Sequence, residues 1–348
     1  MRTRHRILLS LALLGTPVVG VAQRRPDGQH DFDFEFGRWR VHLQRLVKPL
    51  SHSTTWITYD GTSTVRPVWG GLANLGELEV DGGGKHVEGL TLRVYDTKAR
   101  QWRIHWANSA DGALGTAMVG GFVNRRGEFF DQEDLDGRPI FVRFIFSGIT
   151  ATTFKFEQAF SDDAGKSWET NWIATFTKDN APSAAMAAGS NRTDARDFAF
   201  EQGTWSMQRR SLEDPFAASK WKESSGSRHI VQPVWAGRAA LGELVVSPGP
   251  PATYAGSLLR TFDPTTKLWK LYWVDLATAR VSAPMTGAFT SGRGEFYGQL
   301  DMGDVTALAR IVYSDISATT FRTEQAWSLD GGATWTVYAT DTFTRTSS

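Results

Sequence analysis

Polar residues that could bind or transform a small molecule recur at matched positions in the two halves of this 348-residue chain, each amid apolar neighbours. The recurring pairs are Glu77 and Glu243, Arg93 and Arg260, Asn108 and Asp275, Arg143 and Arg310, and Gln158 and Gln325. A half-buried arginine has to pair with a carboxylate or bind an anion, because an unpaired buried charge is costly. Arginine and glutamine side chains facing an aromatic-lined cavity would suit a small amphipathic ligand with a carboxylate or carbonyl group.

The same residues allow two other interpretations. The arginines could form internal salt bridges that fix the register of the strands. Alternatively, Glu77 could act as a general acid or base while Arg93 or Arg143 stabilises an anion, which would make the protein a lyase, isomerase or hydrolase. The sequence assigns no definite catalytic residue.

Histidine and tryptophan side chains extend the candidate binding site. His105 could be a hydrogen-bonding group in a pocket, a haem ligand, or a strand residue in water. Trp106 and Trp273 could stack on a ligand or fill the core. Asn171 and Trp172, near the end of the first half, are further candidates for contact with a ligand.

Several catalytic and cofactor sites are excluded. The chain has no cysteine, which rules out disulfides, thiolate metal sites and a cysteine nucleophile. It also lacks a Gly-x-Ser-x-Gly elbow, a His-Glu-x-x-His helix and a phosphate-binding glycine loop. The acidic segment 131–137 is a poor calcium loop, because the twelve-residue pattern would end at Arg143 and not at a glutamate. We predict neither a metal site nor a cofactor.

The elements that position these residues form a tandem repeat. Residues 31–39, Asp-Phe-Asp-Phe-Glu-Phe-Gly-Arg-Trp, return at 197–205 as Asp-Phe-Ala-Phe-Glu-Gln-Gly-Thr-Trp. The offset changes by one residue between the segments 81–85 and 247–251, and a loop absorbs such a slip, whereas a strand would turn its side chains to the wrong face. The sequence predicts two copies of one fold, at 31–178 and 197–345, joined by a small-residue linker at 179–196.

Within each copy the apolar residues follow the period of two that is typical of strands, for example from Ile140 to Phe146. Short strands with tight turns predict an all-β fold, either a sandwich or an up-and-down barrel. The barrel is favoured because, in lipocalin-like barrels, a basic residue of the last strand packs over the tryptophan that closes one end. The expected pairs are Trp39 with Lys178 and Trp205 with Arg345.

A competing motif occurs once in each copy. The segments 161–168 and 328–335 fit Ser-x-Asp-x-Gly-x-Thr/Ser-Trp, the Asp-box of sialidase-type propellers. A propeller would repeat a unit every 40 to 50 residues or so, whereas this chain has one box per copy. We therefore interpret Asp163 and Asp330 as hairpin braces and not as catalytic groups.

Three motifs together resemble a known family. They are the opening Asp-Phe-x-Phe-x-x-Gly-x-Trp, the middle Leu-Arg-x-Tyr/Phe-Asp with its following Trp, and the first copy's ending Glu-Gln-Ala-Phe-Ser-x-Asp-x-Gly-x-x-Trp. They look like a bacterial lipocalin-like (calycin) domain family of uncharacterised function, over most of both copies. The resemblance implies a barrel around an internal pocket and implies no reaction.

The first 22 residues predict a cleaved secretory signal, with a retained anchor as the alternative. Three arginines precede an apolar run, Ile7 to Val21, that is too short to span a bilayer. The whole chain has a net charge of +1 including those arginines, so the remainder is weakly acidic, and nucleic acid is not an expected partner. We expect an exported protein, periplasmic or secreted, without a membrane span in its mature chain and of undetermined oligomeric state.

Three functions fit these features, in order of preference. A binding or carrier protein for a small apolar or amphipathic molecule comes first, because a barrel is expected and catalytic motifs are missing. An enzyme comes second, and an envelope protein that holds a glycan or another protein through exposed aromatic residues comes third. We expect the working site in the first copy. The differences between the copies are Asn74 against Ala240, His105 against Tyr272, Asn171 against Tyr338, and Trp172 against Ala339.

Overall fold

The chain forms two closed barrels of ten antiparallel strands each, which confirms the prediction of a tandem all-β fold. The computed structural model describes residues 27–180, 195–215, 220–247, 252–301 and 305–346. The predicted signal peptide lies outside these residues, and so do residues 181–194 of the linker predicted at 179–196. Among the described residues, no helix is both long enough and apolar enough to cross a membrane.

The first barrel is an up-and-down meander in which neighbouring strands pair and the last strand returns to the first. Its strands are β1 Gly37–Leu46, β2 Trp56–Val68, β3 Ala73–Gly82, β4 Lys85–Asp96, β5 Gln101–Asn108, β6 Met118–Val123, β7 Arg126–Leu135, β8 Arg138–Ser147, β9 Thr153–Ser161 and β10 Glu169–Lys178.

The second barrel repeats this meander and is closed between β21 and β11. Its strands are β11 Gly203–Leu212, β12 Trp221–Val234, β13 Ala239–Ser247, β14 Thr253–Asp263, β15 Leu268–Asp275, β16 Arg280–Val281, β17 Met285–Thr290, β18 Arg293–Asp301, β19 Thr306–Ser314, β20 Thr320–Ser328 and β21 Thr336–Arg345. The two-residue β16 pairs with β15 beside the ring of ten strands.

A short 3-10 helix, Asp33–Glu35, plugs one end of the first barrel. The indole Nε1 of Trp39 donates a hydrogen bond of 2.6 Å to the carbonyl oxygen of Glu35, which ties β1 to the plug. The Lys178 ammonium lies 4.4 Å from the centre of the Trp39 ring. This contact confirms the predicted cation over the closing tryptophan.

The second barrel has an equivalent plug, the 3-10 helix Ala199–Glu201. Trp205 donates to the carbonyl oxygen of Glu201 at 2.7 Å, and the Arg345 guanidinium lies 4.1 Å from the centre of the Trp205 ring. Arg345 also donates to the carbonyl oxygens of Gln202 and Phe200, both at 2.7 Å. The last strand is therefore fastened to the plug in both copies.

Aromatic side chains pack around each plug, because alternate residues of every strand point inward. In the first barrel, Phe32 is fully buried and meets Trp102 and Phe146 edge to face, with ring centres 5.1 and 5.2 Å away. In the second barrel, Phe198 meets Trp269 and Tyr313 in the same way, at 5.0 and 5.3 Å. The two cores therefore share one packing plan.

The Asp-box hairpins brace the turn before the last strand of each barrel. In the first barrel, the carboxylate of Asp163 accepts hydrogen bonds from the backbone N–H and hydroxyl of Ser167, at 2.9 and 2.7 Å. These bonds hold the pKa of Asp163 well below its usual range. Asp330 is bonded to Thr334 in the same way. Two closed barrels with one brace each exclude the propeller alternative.

The barrels pack against each other through the outer faces of β3 to β5 and β13 to β15. These faces are apolar although they point away from the barrel interiors, because the partner barrel covers them. The buried residues of this contact are Val68, Trp69, Ala73, Leu75, Leu90, Leu92, Val94 and Ala107 from the first barrel and Val234, Trp235, Ala239, Leu241, Leu259, Tyr272, Val274 and Ala279 from the second.

Two reciprocal hydrogen bonds link the barrels across this contact. A carboxylate oxygen of Glu77 accepts from the backbone N–H of Trp235 at 3.2 Å, and one of Glu243 accepts from the N–H of Trp69 at 3.0 Å. Both tryptophans have the positive φ that non-glycine residues seldom adopt, 51° for Trp69 and 50° for Trp235. Each barrel thus secures an unusual turn of the other.

We predict that Trp39→Ala lowers the free energy of unfolding by about 3 to 5 kcal/mol, the usual cost of removing a buried tryptophan. The control is Trp56→Ala in β2, because Trp56 is 37% exposed; it should cost less than about 1 kcal/mol. Urea denaturation followed by circular dichroism measures both values. Equal losses in the two variants would show that Trp39 does not close the barrel.

Candidate functional site

The first barrel encloses a cavity of about 940 Å³. Its closed end lies behind the plug, where Glu35, Arg93 and Phe146 line the wall. At the other end the lining residues, among them Arg45 and Gln132, are exposed. The cavity therefore opens at the end opposite the plug.

Six residues predicted for a binding site do line this cavity: Arg93, Trp106, Asn108, Gln158, Asn171 and Trp172. They come from β4, β5, β9 and β10. Inward-facing apolar side chains surround them, chiefly Leu43, Leu78, Ile104, Met118, Phe144, Phe154, Phe156, Phe160 and Phe176. The interior is thus mainly aromatic and aliphatic, while exposed polar and charged side chains gather at the opening, among them Asp111, Gln132, Glu133 and Asp134.

A pair of amides projects into this chamber from adjacent strands. The side-chain Nε2 of Gln158 donates to Oδ1 of Asn171 at 2.8 Å. Asn171 occupies a β-bulge, since the register between β9 and β10 shifts between Thr170 and Trp172. The bulge lets Asn171 and its neighbour Trp172 both line the cavity, although adjacent strand residues normally face opposite sides.

A buried ion pair stands at the closed end. Arg93 Nη2 lies 2.8 Å from Glu35 Oε2, and Arg93 Nη1 donates to Asn74 Oδ1 at 2.9 Å. Burial raises the pKa of Glu35, and Arg93 beside it acts in the opposite direction. The salt-bridge interpretation is therefore correct for Arg93, whose charge is already paired within the protein.

Tryptophans and one arginine surround the open end. Trp106 lies 6.4 Å from Trp172, ring centre to ring centre, and the Arg45 guanidinium is 5.7 Å from the Trp172 ring. The Trp106 ring covers residue 89, which must be glycine because a Cβ there would overlap the ring. Asn108 caps a turn by accepting from the N–H of Ala110 at 2.8 Å.

The loop 109–117 forms one wall of the cavity and also contacts the second barrel. Leu114 lines the cavity, and its N–H donates to the Tyr272 hydroxyl at 3.1 Å. The Lys270 ammonium donates to the carbonyl oxygen of Asp111 at 2.8 Å. The second barrel therefore fixes part of the first barrel's wall.

Glu77 and Glu243 are not cavity residues, contrary to the sequence interpretation. Both face outward and bind the backbone of the opposite barrel. Burial raises the pKa of Glu77, and the hydrogen bond from Trp235 opposes this. The two glutamates recur because each barrel makes the same contact with the other. The proposed acid–base role of Glu77 beside Arg93 or Arg143 is therefore wrong.

Arg143 and Arg310 also lie outside the barrels. The Arg143 guanidinium is 4.5 Å from the centre of the Trp168 ring, and that of Arg310 is 4.6 Å from the Trp335 ring. Arg310 additionally bonds Glu324 at 3.0 Å. They support the Asp-box hairpins, so their prediction as pocket residues is wrong.

His105 points away from the cavity and is buried beneath the loop 109–117. Its Nδ1 lies 3.0 Å from the carbonyl oxygen of Gly115, to which a neutral imidazole can donate. Its Nε2 is buried and has no hydrogen-bond partner among the described residues. Burial lowers the pKa of His105. His105 thus contacts the outer side of the loop that forms the cavity wall and does not line the cavity.

The matched residues of the second barrel have diverged. Gln325 bonds Asp341 at 3.1 Å, and Asp341 stands where the first barrel has Ala174. Arg260, by contrast, keeps the buried ion pair of the first barrel and lies 2.6 Å from Glu201. The remaining predicted residues lie near the surface: Trp273 is 38% exposed, and Asp275 accepts from the N–H of Thr278 at 2.9 Å.

Sequence reasoning missed Glu35, Glu201 and Arg45. A usable signal existed for the glutamates, because both copies keep Glu-x-Gly-x-Trp at 35–39 and 201–205 beside a recurring arginine. Arg45 is unmatched in the second copy, where Ser211 takes its place. The described residues also contain no cluster of three or more histidine, aspartate or glutamate side chains that could hold a metal ion.

No family model and no curated protein matches the chain. Solved structures are similar at low identity. A protein of unknown function from the DUF3598 family of Nostoc punctiforme is 11% identical, with 92% of this chain and 100% of that chain covered and a TM-score of 0.27. An S-type phycobiliprotein lyase from Guillardia theta is 12% identical over 45% of this chain and 96% of that chain, with a TM-score of 0.33.

A de novo designed fluorescence-activating β-barrel is also similar, at 12% identity over 44% of this chain and 100% of that chain, with a TM-score of 0.25. What the first barrel can bind follows from its own side chains.

The buried imidazole of His105 predicts a pH dependence. Below about pH 6.5, the ordinary pKa of histidine, the unfolded chain takes up a proton that the folded chain resists. The folded state therefore loses stability as the pH falls. The control is His105→Gln, which can still donate to Gly115 and does not titrate. Between pH 7.5 and pH 5.5, the melting temperature of the wild type should fall further than that of the variant; parallel curves would contradict this.

Proposed function

We propose that the protein is a binding or carrier protein that holds one small, mostly apolar molecule in the first barrel. The observation that supports this proposal is the cavity of about 940 Å³ lined by aromatic and aliphatic side chains. Ligand sites are typically about 300 to 1,000 Å³, apolar, and equipped with a few polar groups that orient the ligand.

The polar groups at mid-depth suit a carbonyl or hydroxyl group of a ligand. Gln158 and Asn171 use one donor and one acceptor in bonding each other, and Asn171 Nδ2 also donates to the carbonyl oxygen of Glu169 at 3.5 Å. Their amides retain a further oxygen lone pair and further N–H groups, since an amide side chain has two donors and two acceptor sites. A ligand atom in the cavity, in front of β9 and β10, could form hydrogen bonds with these groups.

The ion pair argues against a carboxylate group at the closed end. Glu35 already neutralises Arg93, and its own charge would repel an anion. The opening carries the exposed Arg45 beside Trp172, but the exposed carboxylates of Asp111, Glu133 and Asp134 line it as well. A negative group therefore gains no net attraction there, and an amphipathic ligand would enter with its apolar part first and keep an uncharged polar end at the opening.

The enzyme alternative has lost its specific support. The acid–base constellation that it required is not assembled, because Glu77 lies in the contact between barrels and Arg143 lies on an outer face.

We propose further that the protein is exported. The arginine-flanked apolar run within residues 1–22 supports this.

Filling the cavity should abolish binding. Ala174 is buried and lines the cavity, so Ala174→Phe would project a ring into it. We expect at least a tenfold loss of affinity, or about 1.4 kcal/mol, for the neutral fluorophore N-phenyl-1-naphthylamine, measured by fluorescence titration.

The matched control is Arg143→Met, which alters an outward-facing side chain that does not line the cavity. Its affinity for the fluorophore should stay within about twofold of the wild type. Equal binding by Ala174→Phe and the wild type would place the fluorophore elsewhere, and no binding by the wild type would contradict the proposed function.

A further inference from the structure

The closed end of the cavity holds a donor and an acceptor that the protein itself leaves unused. Glu35 is 2% exposed and Arg93 is 6% exposed, and both line the cavity. Arg93 spends its two terminal nitrogens on Glu35 Oε2 and Asn74 Oδ1. Within the described parts of the chain, Glu35 Oε1 and Arg93 Nε have no hydrogen-bond partner.

Unused buried polar groups of this kind destabilise the folded protein, and charged groups do so most. Glu35 Oε1 can only accept a hydrogen bond while the carboxylate is ionised, and Arg93 Nε can only donate one. A hydroxyl group can donate to the first and accept from the second. A hydrocarbon would leave both unsatisfied, and a carboxylate would face the charge of Glu35.

The second barrel shows how the same ion pair accommodates a hydroxyl group. Tyr313 occupies the position of Phe146, and its ring meets Phe198 edge to face as Phe146 meets Phe32, at 5.3 Å and 84° against 5.2 Å and 87°. The Tyr313 hydroxyl lies close enough to Arg260 and Glu201 to interact with both charges. Burial raises the pKa of Tyr313 well above its usual range, so the phenol stays neutral.

A second substitution at this place points the same way. His229 of the second barrel lies 3.4 Å from Glu201 and 3.5 Å from Arg260, so it adds another protein partner to that ion pair. The first barrel has Ser63 at the matched position, and Ser63 lines the cavity. Tyr313 and His229 thus add two protein groups beside the ion pair of the second barrel, although Glu201 Oε2 and Arg260 Nε have no hydrogen-bond partner among the described residues there either. The first barrel has Phe146 and Ser63 at these places, so the space beside its ion pair stays open to the cavity.

We infer that the closed end of the first barrel is a hydroxyl-binding subsite, and that its ligand is a neutral alcohol or phenol whose hydroxyl group bonds Glu35 and Arg93. This inference rests on the proposed function, since it names the ligand class of the same cavity. The ligand's hydroxyl group takes the place that the Tyr313 hydroxyl takes in the second barrel.

The test uses three probes of one shape, 4-phenylphenol, biphenyl and biphenyl-4-carboxylate, titrated into the full chain by isothermal calorimetry. The wild type should bind 4-phenylphenol at least tenfold more tightly than either of the others. Phe146→Tyr supplies the hydroxyl from the protein, as the second barrel does, and should reduce this preference to less than threefold. Melting curves verify that the variant is folded.

The control for the added hydroxyl is Phe141→Tyr on the same strand, because Phe141 is 39% exposed and does not line the cavity. It should keep the wild-type preference. Equal binding of phenylphenol and biphenyl by the wild type, or tightest binding of the carboxylate, would overturn the hydroxyl subsite while leaving the binding function intact. Retention of the full preference by Phe146→Tyr would also overturn it. If none of the probes binds and the fluorophore does not bind either, the proposed function fails with it.

Discussion

Each barrel depends on a buried ion pair between its plug and its wall. Glu35 on the plug helix meets Arg93 on β4, and Glu201 meets Arg260 on β14. Removing one member of such a pair typically costs about 3 to 5 kcal/mol, because the other charge is left buried and uncompensated. The pair fixes the depth of the plug, and the plug fixes the tryptophan, the terminal cation and the floor of the cavity.

The two barrels share their outer contacts and the aromatic packing around their plugs, and they differ further along the interior. Asp341 stands where the first barrel has Ala174, and it accepts from Thr323 and Gln325, both at 3.1 Å, with Arg209 at 3.3 Å. Burial raises the pKa of Asp341, and Arg209 opposes this. An apolar interior that suits a ligand in one copy is thus replaced by a polar network in the other, while the reciprocal bonds between barrels remain.

The sequence predicted the fold well because its period of two and its internal repeat are local signals. Recurrence alone did not tell which face of a strand a residue occupies. The outward direction of Arg143 could have been predicted, because its neighbours Val142 and Phe144 pack into the core of the barrel and successive strand residues face opposite sides. The role of Glu77 was not readable, because it depends on a partner barrel 158 residues away in the chain. Glu35 was overlooked because it lies on the plug, outside any strand pattern.

Contacts that cross between barrels are also the part of the site that no local pattern reveals. The loop 109–117 walls the cavity while Tyr272 and Lys270 of the second barrel hold it. We propose that this braced first barrel carries one small molecule, and native mass spectrometry of the protein purified from the organism that encodes it tests this. We predict one bound small molecule per chain, absent from the Ala174→Phe variant prepared in the same way; a wild-type mass without any bound molecule, or equal occupancy of the two proteins, would contradict it.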